Sequence, residues 1–266
     1  MMEFVTARRF GLKAGRGLLV MACAVGALPA MAAAVTVTLS PNADSWVSKD
    51  NPTDTNGGSS SLEVRASSGT NLRRALVRFD LSTIPACATI DSATLRIRVS
   101  SAPGSSRTHN VHRMTSSWTE ASVSWNNRTS GTPWTTAGGD FNPTFTAQAT
   151  VSSTGYKTWN VQSDVAAFVA LSATNNGWLV RDNAETSSNA TTVYSSKEAS
   201  VGNRPELVVS YTLNDTACND SNVCTTDVCG GSGCQYTNNA ATCRASAGAC
   251  DTAEVFHFIA KESETR

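Results

Sequence analysis

Apolar residues recur at every second position in short runs along most of this chain, and turn-forming residues punctuate the runs. A period of two is the signature of extended strands with one buried face, so it excludes a helical core. The clearest run is residues 71–82, NLRRALVRFDLS. Arg73, Ala75, Val77 and Phe79 share one face of such a strand, and Arg74, Leu76, Arg78 and Asp80 share the other. The first face belongs on a core. The second is offered to solvent or to an anionic partner.

The same alternation appears at Val35, Val37 and Leu39, before Pro41 and Asn42 turn the chain into residues 44–47. It returns at Leu62, Val64 and Ala66, and again at Ala93, Leu95, Ile97 and Val99. Residues 177–180, 192–195 and 206–212 complete the strand set, and His109 and His112 lie on a further strand. Residues 49–61 (KDNPTDTNGGSSS) are a polar loop. Residues 160–171 form the one helical candidate, with Val165, Phe168 and Val169 at helical spacing and Ser163 or Asp164 as the cap. Strands every eight to twelve residues with one short helix predict an all-β fold, an antiparallel sandwich of two packed sheets. If the strands lie in one sheet, Arg65, Arg74, Arg78, Arg96 and Arg98 make a cationic face, against Glu63 and Asp80; the alternative is that they keep strand surfaces soluble. Trp118, Trp125 and Trp134 sit in loop-like surroundings, as loop anchors or as platforms for sugar rings.

Residues 1–33 read as a signal peptide. Arg8, Arg9, Lys13 and Arg16 precede an apolar run at 18–28, and Ala30, Met31 and Ala32 make a small-residue cleavage pattern. The run is too short for a spanning helix and continues past Cys23, which favours plain export over a lipid anchor. A secreted or cell-surface protein is expected. Lys and Arg number 21, as do Asp and Glu, so the net charge is zero. That balance excludes a nucleic-acid partner, which needs a clear cationic excess.

Several segments resemble the DNRLRE domain, also classified as carbohydrate-binding module family 96. They are residues 43–47, 73–82, 90–99 (IDSATLRIRV), 117–127 (SWTEASVSWNN), 159–161, 195–199 and 203–209, spread over 35–213. The resemblance implies a jelly-roll-like sandwich at 34–213 in a secreted protein, with basic residues on a concave sheet face that bind acidic polysaccharide such as alginate. Carried to matching positions, it points to Lys49, Arg65, Arg74 and Arg78, with Tyr194 as an aromatic contributor. Position 76, often aromatic in relatives, is Leu. Guanidinium forks match carboxylates with two parallel hydrogen bonds, and several pairs along a sheet would track a uronate chain. The alternative is a structural or adhesive surface protein.

No catalytic constellation is expected. His109 and His112, three apart on a strand, point to opposite faces and read as isolated surface histidines. Glu120, Asp140 and Glu185 have no spacing that makes them converge. No cofactor is required. Asp44, Asp50, Asp54 and Asn56 are oxygen ligands in and beside the polar loop that would suit a structural calcium ion, or are ordinary turn formers.

Composition changes at residue 214. Cys218, Cys224, Cys229, Cys234, Cys243 and Cys250 follow in a segment too small for a core, so disulfides must hold it; six cysteines allow fifteen pairings. Residues 242–254 resemble the start of a disintegrin-like repeat, and 218–234 resemble Asp/Asn-rich repeats of bacterial surface proteins. A truncated, mostly irregular tail at 214–266 that makes protein contacts is expected, with Cys87 alone in the sandwich.

Overall fold

The computed structural model describes residues 33–187 and 189–239. The expected signal peptide, Cys243 and Cys250 lie outside them. The strands are β1 (Val35–Leu39), β2 (Pro41–Ser48), β3 (Ser61–Ala66), β4 (Arg73–Phe79), β5 (Ala88–Ser101), β6 (Arg107–Arg113), β7 (Asn127–Thr129), β8 (Thr132–Pro133), β9 (Ala147–Val151) and β10 (Gly155–Asn160). Helix α1 (Gln162–Val169) follows, then β11 (Trp178–Asp182), β12 (Ala190–Ser195), β13 (Glu206–Leu213), β14 (Thr225–Gly230) and β15 (Gly233–Asn238).

Eleven strands join in one antiparallel ladder, β1-β13-β5-β12-β3-β4-β11-β6-β9, with β10 on β5 and β2 on β4. The ladder curls over itself and makes the expected antiparallel sandwich. Two places produce the fold-over. Strand β3 meets β4 only at Arg65↔Arg73, which is a corner rather than a shared plane. At the other edge β9 and β10, joined by residues 152–154, pair with different partners, β6 and β5. One layer is therefore β1, β13, β5, β10, β12 and β3; the other is β2, β4, β11, β6 and β9.

The alternating residues of both layers meet in the main core. Leu62, Val64, Leu95, Ile97, Val99, Tyr194, Leu207 and Val209 from the first layer pack against Ala75, Val77, Phe79, Val111, Trp178 and Val180 from the second. Helix α1 closes one end with Val165, Phe168 and Val169. Its start differs from expectation: the N-cap is Val161, with no side-chain cap. Asn160 Oδ1 instead accepts from Gln162 N at 3.0 Å. Asp164 is buried and accepts from Trp178 Nε1 at 2.8 Å.

The arginines do not share a face. Arg65, Arg96 and Arg98 lie on the outer side of the first layer, where Arg65 stands opposite Thr191 and Arg96 opposite Glu206. Arg74 and Arg78 lie on the outer side of the second, opposite Val47 and Ala43. The fold-over at β3/β4 separates them, and nothing in the strand period announces it.

The tail is more regular than expected. Strands β14 and β15 form a hairpin, with Gly233 in the left-handed region at φ 103°. Cys218 pairs with Cys234, and Cys229 pairs with Cys87 of the sandwich. Cys87 is therefore not alone. The Cys87–Cys229 bridge spans 142 residues, and the loop closure it imposes on the unfolded chain is worth about 5 kcal/mol on a chain-entropy estimate. Cys224 is also disulfide-bonded. Among the described residues, no helix is long and apolar enough to cross a membrane.

Candidate functional site

The outer side of the second layer is not an open arginine face, because residues 114–141 fold across it. Leu76 and Leu179 meet Trp118, Trp125, Trp134, Val123 and Met114 in a second apolar cluster, with Ala43, Val47 and Leu72 from β2 and the segment before β4. The three tryptophans are buried anchors, and Trp118 and Trp134 donate their indole N–H to Asn176 O and Ser124 O. This lid explains why Leu stands at position 76: the residue faces apolar cover, not a ligand.

Arg74 and Arg78 hold the lid. Arg74 makes a two-pronged bond to Glu185 at 2.7 and 2.9 Å, donates to Gly138 O at 2.9 Å, and lies over Trp125 at 4.9 Å. Only 11 % of its side chain is exposed. Gly138 has φ +93°, and a Cβ there would come within 2.8 Å of both Arg74 and Trp125, so glycine is required. Arg78 lies over Trp118 at 5.2 Å and donates to its carbonyl at 3.3 Å. Glu185 is shared with Arg181 at 2.8 Å. Both candidate arginines thus have protein acceptors, with Arg74 nearly covered and Arg78 part-exposed.

Tyr194 is fully buried in the main core. The Asp182 carboxylate lies 3.6 Å from His109 Nε2, which favours the proton on that nitrogen; Nδ1 then accepts from the Tyr194 hydroxyl at 2.6 Å. Arg107 completes the chain with bonds of 2.7 and 2.6 Å to Asp182. Burial works to raise the Asp182 carboxyl, but His109, Arg107 and the Ala184 N–H hold it far below its ordinary value. Burial pushes the Tyr194 hydroxyl up, with the Asp182 charge adding to it. The ring of Tyr194 has no surface to offer a sugar. Nor are the histidines on the surface. His109 is 1 % exposed, and His112 is buried between Phe141 and Phe145, with Nδ1 2.8 Å from Asn142 O. Burial is the main cause of its lowered pKa.

The four candidate calcium ligands are dispersed. Asp44 is buried and accepts from Lys197 N at 2.6 Å; Asp50 accepts from the Ser48 hydroxyl; Asp54 is exposed; Asn56 donates to Trp46 O at 2.9 Å. Among the described residues, one group of three or more His, Cys, Asp or Glu has ligand atoms within 4.8 Å of one another, and it is Cys87, Cys218 and Cys234, all in disulfides. Glu120, Asp140 and Glu185 serve separate networks, with Lys197, Ser116 and Arg74 respectively.

What the fold does bring together is the β3/β4 corner. Arg65 and Arg73 stand in register, Arg73 lies over the Trp46 ring at 5.1 Å and pairs with Glu63, and Lys49 follows directly on Ser48, the other partner of Arg73. Arg65 donates to Thr191 Oγ1 at 3.1 Å. Arg65 Nε, Arg73 Nε and Trp46 Nε1 have no protein acceptor. The Ser48 hydroxyl is the main cause holding Asp50 below its ordinary pKa, and the charges of Arg73 and Arg65 add to it. Arg65 and Arg73 thus face two carboxylates beside a half-buried indole, and the exposed Lys49 is next in the chain. Trp46 and Arg73 were not among the sequence candidates, because the period of two assigned Arg73 to the core side and gave no register between β2 and β4.

Among curated proteins, none matches the chain at a significant level. Residues 35–211, two-thirds of the chain and the whole of the curled sandwich apart from its last two residues, match the family model for carbohydrate-binding module family 96. The chain belongs to carbohydrate-binding module family 96.

Proposed function

We propose that this chain is an exported, non-catalytic module that binds an acidic polysaccharide at the β3/β4 corner. The observation that carries the reading is the Arg73 guanidinium stacked on Trp46, in register with Arg65 and one residue along from Lys49. An indole offers an apolar plane to a sugar ring, and guanidinium groups match uronate carboxylates with paired hydrogen bonds. Each exposed charge pair is worth about 0–1 kcal/mol, so affinity requires several along the glycan and falls with salt. The test is electrophoresis of the full chain through gels containing alginate, pectin or a neutral glucan. Retardation by an acidic glycan is expected, weakened at least threefold by Arg65→Ala with Arg73→Ala and flattened in its salt dependence. No retardation by any acidic glycan, or retardation unchanged in the double variant, overturns it.

A second reading, a structural or adhesive role through protein contacts of the tail, is favoured by one feature. The tail exposes Val223, Val228 and Tyr236, the last at 52 %. Retention of an otherwise folded chain without Val228 and Tyr236 on the same cell surface would argue against it.

A further inference from the structure

Residues 115–116, 135–136, 139–141 and 143 line an open cavity of about 380 Å³ that includes no residue of the β3/β4 corner. Thr115, Ser116, Thr135 and Thr136 line it together with Asp140 and Phe141. The three threonines are exposed, while Ser116 donates to Asp140 Oδ2 at 3.0 Å. Asp140 also accepts from Thr135 N at 3.1 Å and Thr136 N at 2.9 Å, which fixes the carboxylate in the wall. Burial alone would raise this carboxyl; the Thr136 and Thr135 N–H groups and the Ser116 hydroxyl outweigh it and hold the pKa below the ordinary value. The wall therefore carries a standing negative charge at neutral pH.

Phe141 is held by three neighbours. Arg74 and Arg181 lie over its ring at 5.3 and 5.7 Å, and His112 meets it edge-on at 4.9 Å. A platform already fixed by three neighbours loses little freedom when a ligand arrives, which removes one of the usual penalties of binding. The chemistry is that of a sugar pocket: an aromatic plane, hydroxyls that donate or accept, and a carboxylate that only accepts. It is also the reverse of the corner in charge. Among the described residues, none that lines the cavity is basic, and the Arg74 and Arg181 guanidinium groups over Phe141 are paired with Glu185, so the charge that a uronate carboxylate meets in the wall is that of Asp140.

We propose that this cavity is a second carbohydrate subsite that takes an uncharged hexopyranose unit, with Phe141 as platform and Thr115, Thr135, Thr136 and Asp140 reading its hydroxyls. The proposal rests on the chain being a carbohydrate binder but not on its preference for acidic glycans. One chain would then hold a charged and an uncharged segment of the same polysaccharide, and the two weak contacts would multiply where the spacing between them matches.

The test is backbone-amide NMR of the full chain, titrated with a panel of neutral gluco-, manno- and galacto-oligosaccharides and with an oligouronate. At least one neutral oligosaccharide should shift the Thr135, Thr136 and Phe141 amides, with Kd on the order of 1 mM and little dependence on salt. The oligouronate should leave those amides in place. Thr115→Val with Thr135→Val and Thr136→Val, which removes three hydroxyls of exposed residues, the Thr135 one bonded to Asp140, should weaken the neutral ligand at least tenfold; Thr136→Trp should fill the cavity and abolish it. Each variant's amide spectrum away from the cavity reports that it is folded. The proposal fails if no neutral oligosaccharide shifts these amides, if the oligouronate shifts them as strongly, or if the folded hydroxyl-free variant binds like the parent. Retardation in alginate gels reports the corner through a different ligand, so either failure is visible apart from the other.

Discussion

Asp44→Asn should make the stability of this protein less dependent on pH in a direction opposite to that of an ordinary paired carboxylate. Asp44 is 1 % exposed. Its Oδ2 accepts from Lys197 N at 2.6 Å, and its Oδ1 has no protein partner. Around it, Asp44 N donates to Glu120 Oε1 at 3.0 Å, and Lys197 Nζ lies 3.3 Å from the same oxygen. Burial pushes the Asp44 carboxyl up to about 7 from 3.8; Glu120 and Glu198 add to the rise, and Lys197 opposes it. The folded protein thus keeps a proton that the unfolded chain gives up near pH 3.8. Stability from the neutral acid is fully present below that value, declines as pH rises, and is gone above about 7. At ~1.4 kcal/mol per pH unit, that window is worth about 4 kcal/mol. Against a total of about 5–15 kcal/mol for a typical domain, the change is large. Asparagine keeps an oxygen for Lys197 N and never ionises. Urea unfolding of both proteins from pH 4 to pH 8 measures the effect, and groups common to both cancel in the difference. The variant should gain about 4 kcal/mol on the parent between the two ends. A difference that stays constant within about 1 kcal/mol across the range refutes the reasoning, and so does a difference that moves the other way.

Two further substitutions test the placement of residues that the family resemblance marks for ligand contact. Tyr194→Phe removes the hydroxyl that His109 Nδ1 accepts from, and should lower stability by about 1–3 kcal/mol in urea unfolding while gel retardation by acidic glycans persists; loss of retardation in a folded variant would return Tyr194 to the binding site. Arg74→Ala leaves buried Glu185 with Arg181 as its remaining cation and takes the guanidinium from beneath Trp125. A loss of about 3–5 kcal/mol and a red shift in tryptophan emission should follow, and a loss under 1 kcal/mol would refute a lid-holding role for Arg74.

The layers of this fold were legible because burial on one face of a strand imposes a period of two whatever the partners are. Ala75, Val77 and Phe79 occupy the core as that period requires, and so do Leu95, Ile97 and Val99. Register and curvature were not legible, since neither leaves a trace in the alternation of a single strand. The corner at Arg65↔Arg73 puts Arg65 on one outer face and Arg74 on the other, though both alternate in the same way along the chain. The lid was illegible for a related reason. Trp118, Trp125 and Trp134 look alike in sequence whether they stack on sugar or anchor a loop, and only the cluster around Leu76 decides between the two. Arg74 and Arg78 then change role with the lid in place. A guanidinium over an indole with a carbonyl acceptor has the chemistry expected of a glycan site, but here the indole and the acceptor belong to the protein itself. The proposed anionic-ligand site is therefore set at Arg65 and Arg73, with Lys49 next in the chain to the register partner of Arg73. There the same chemistry recurs, beside a half-buried tryptophan.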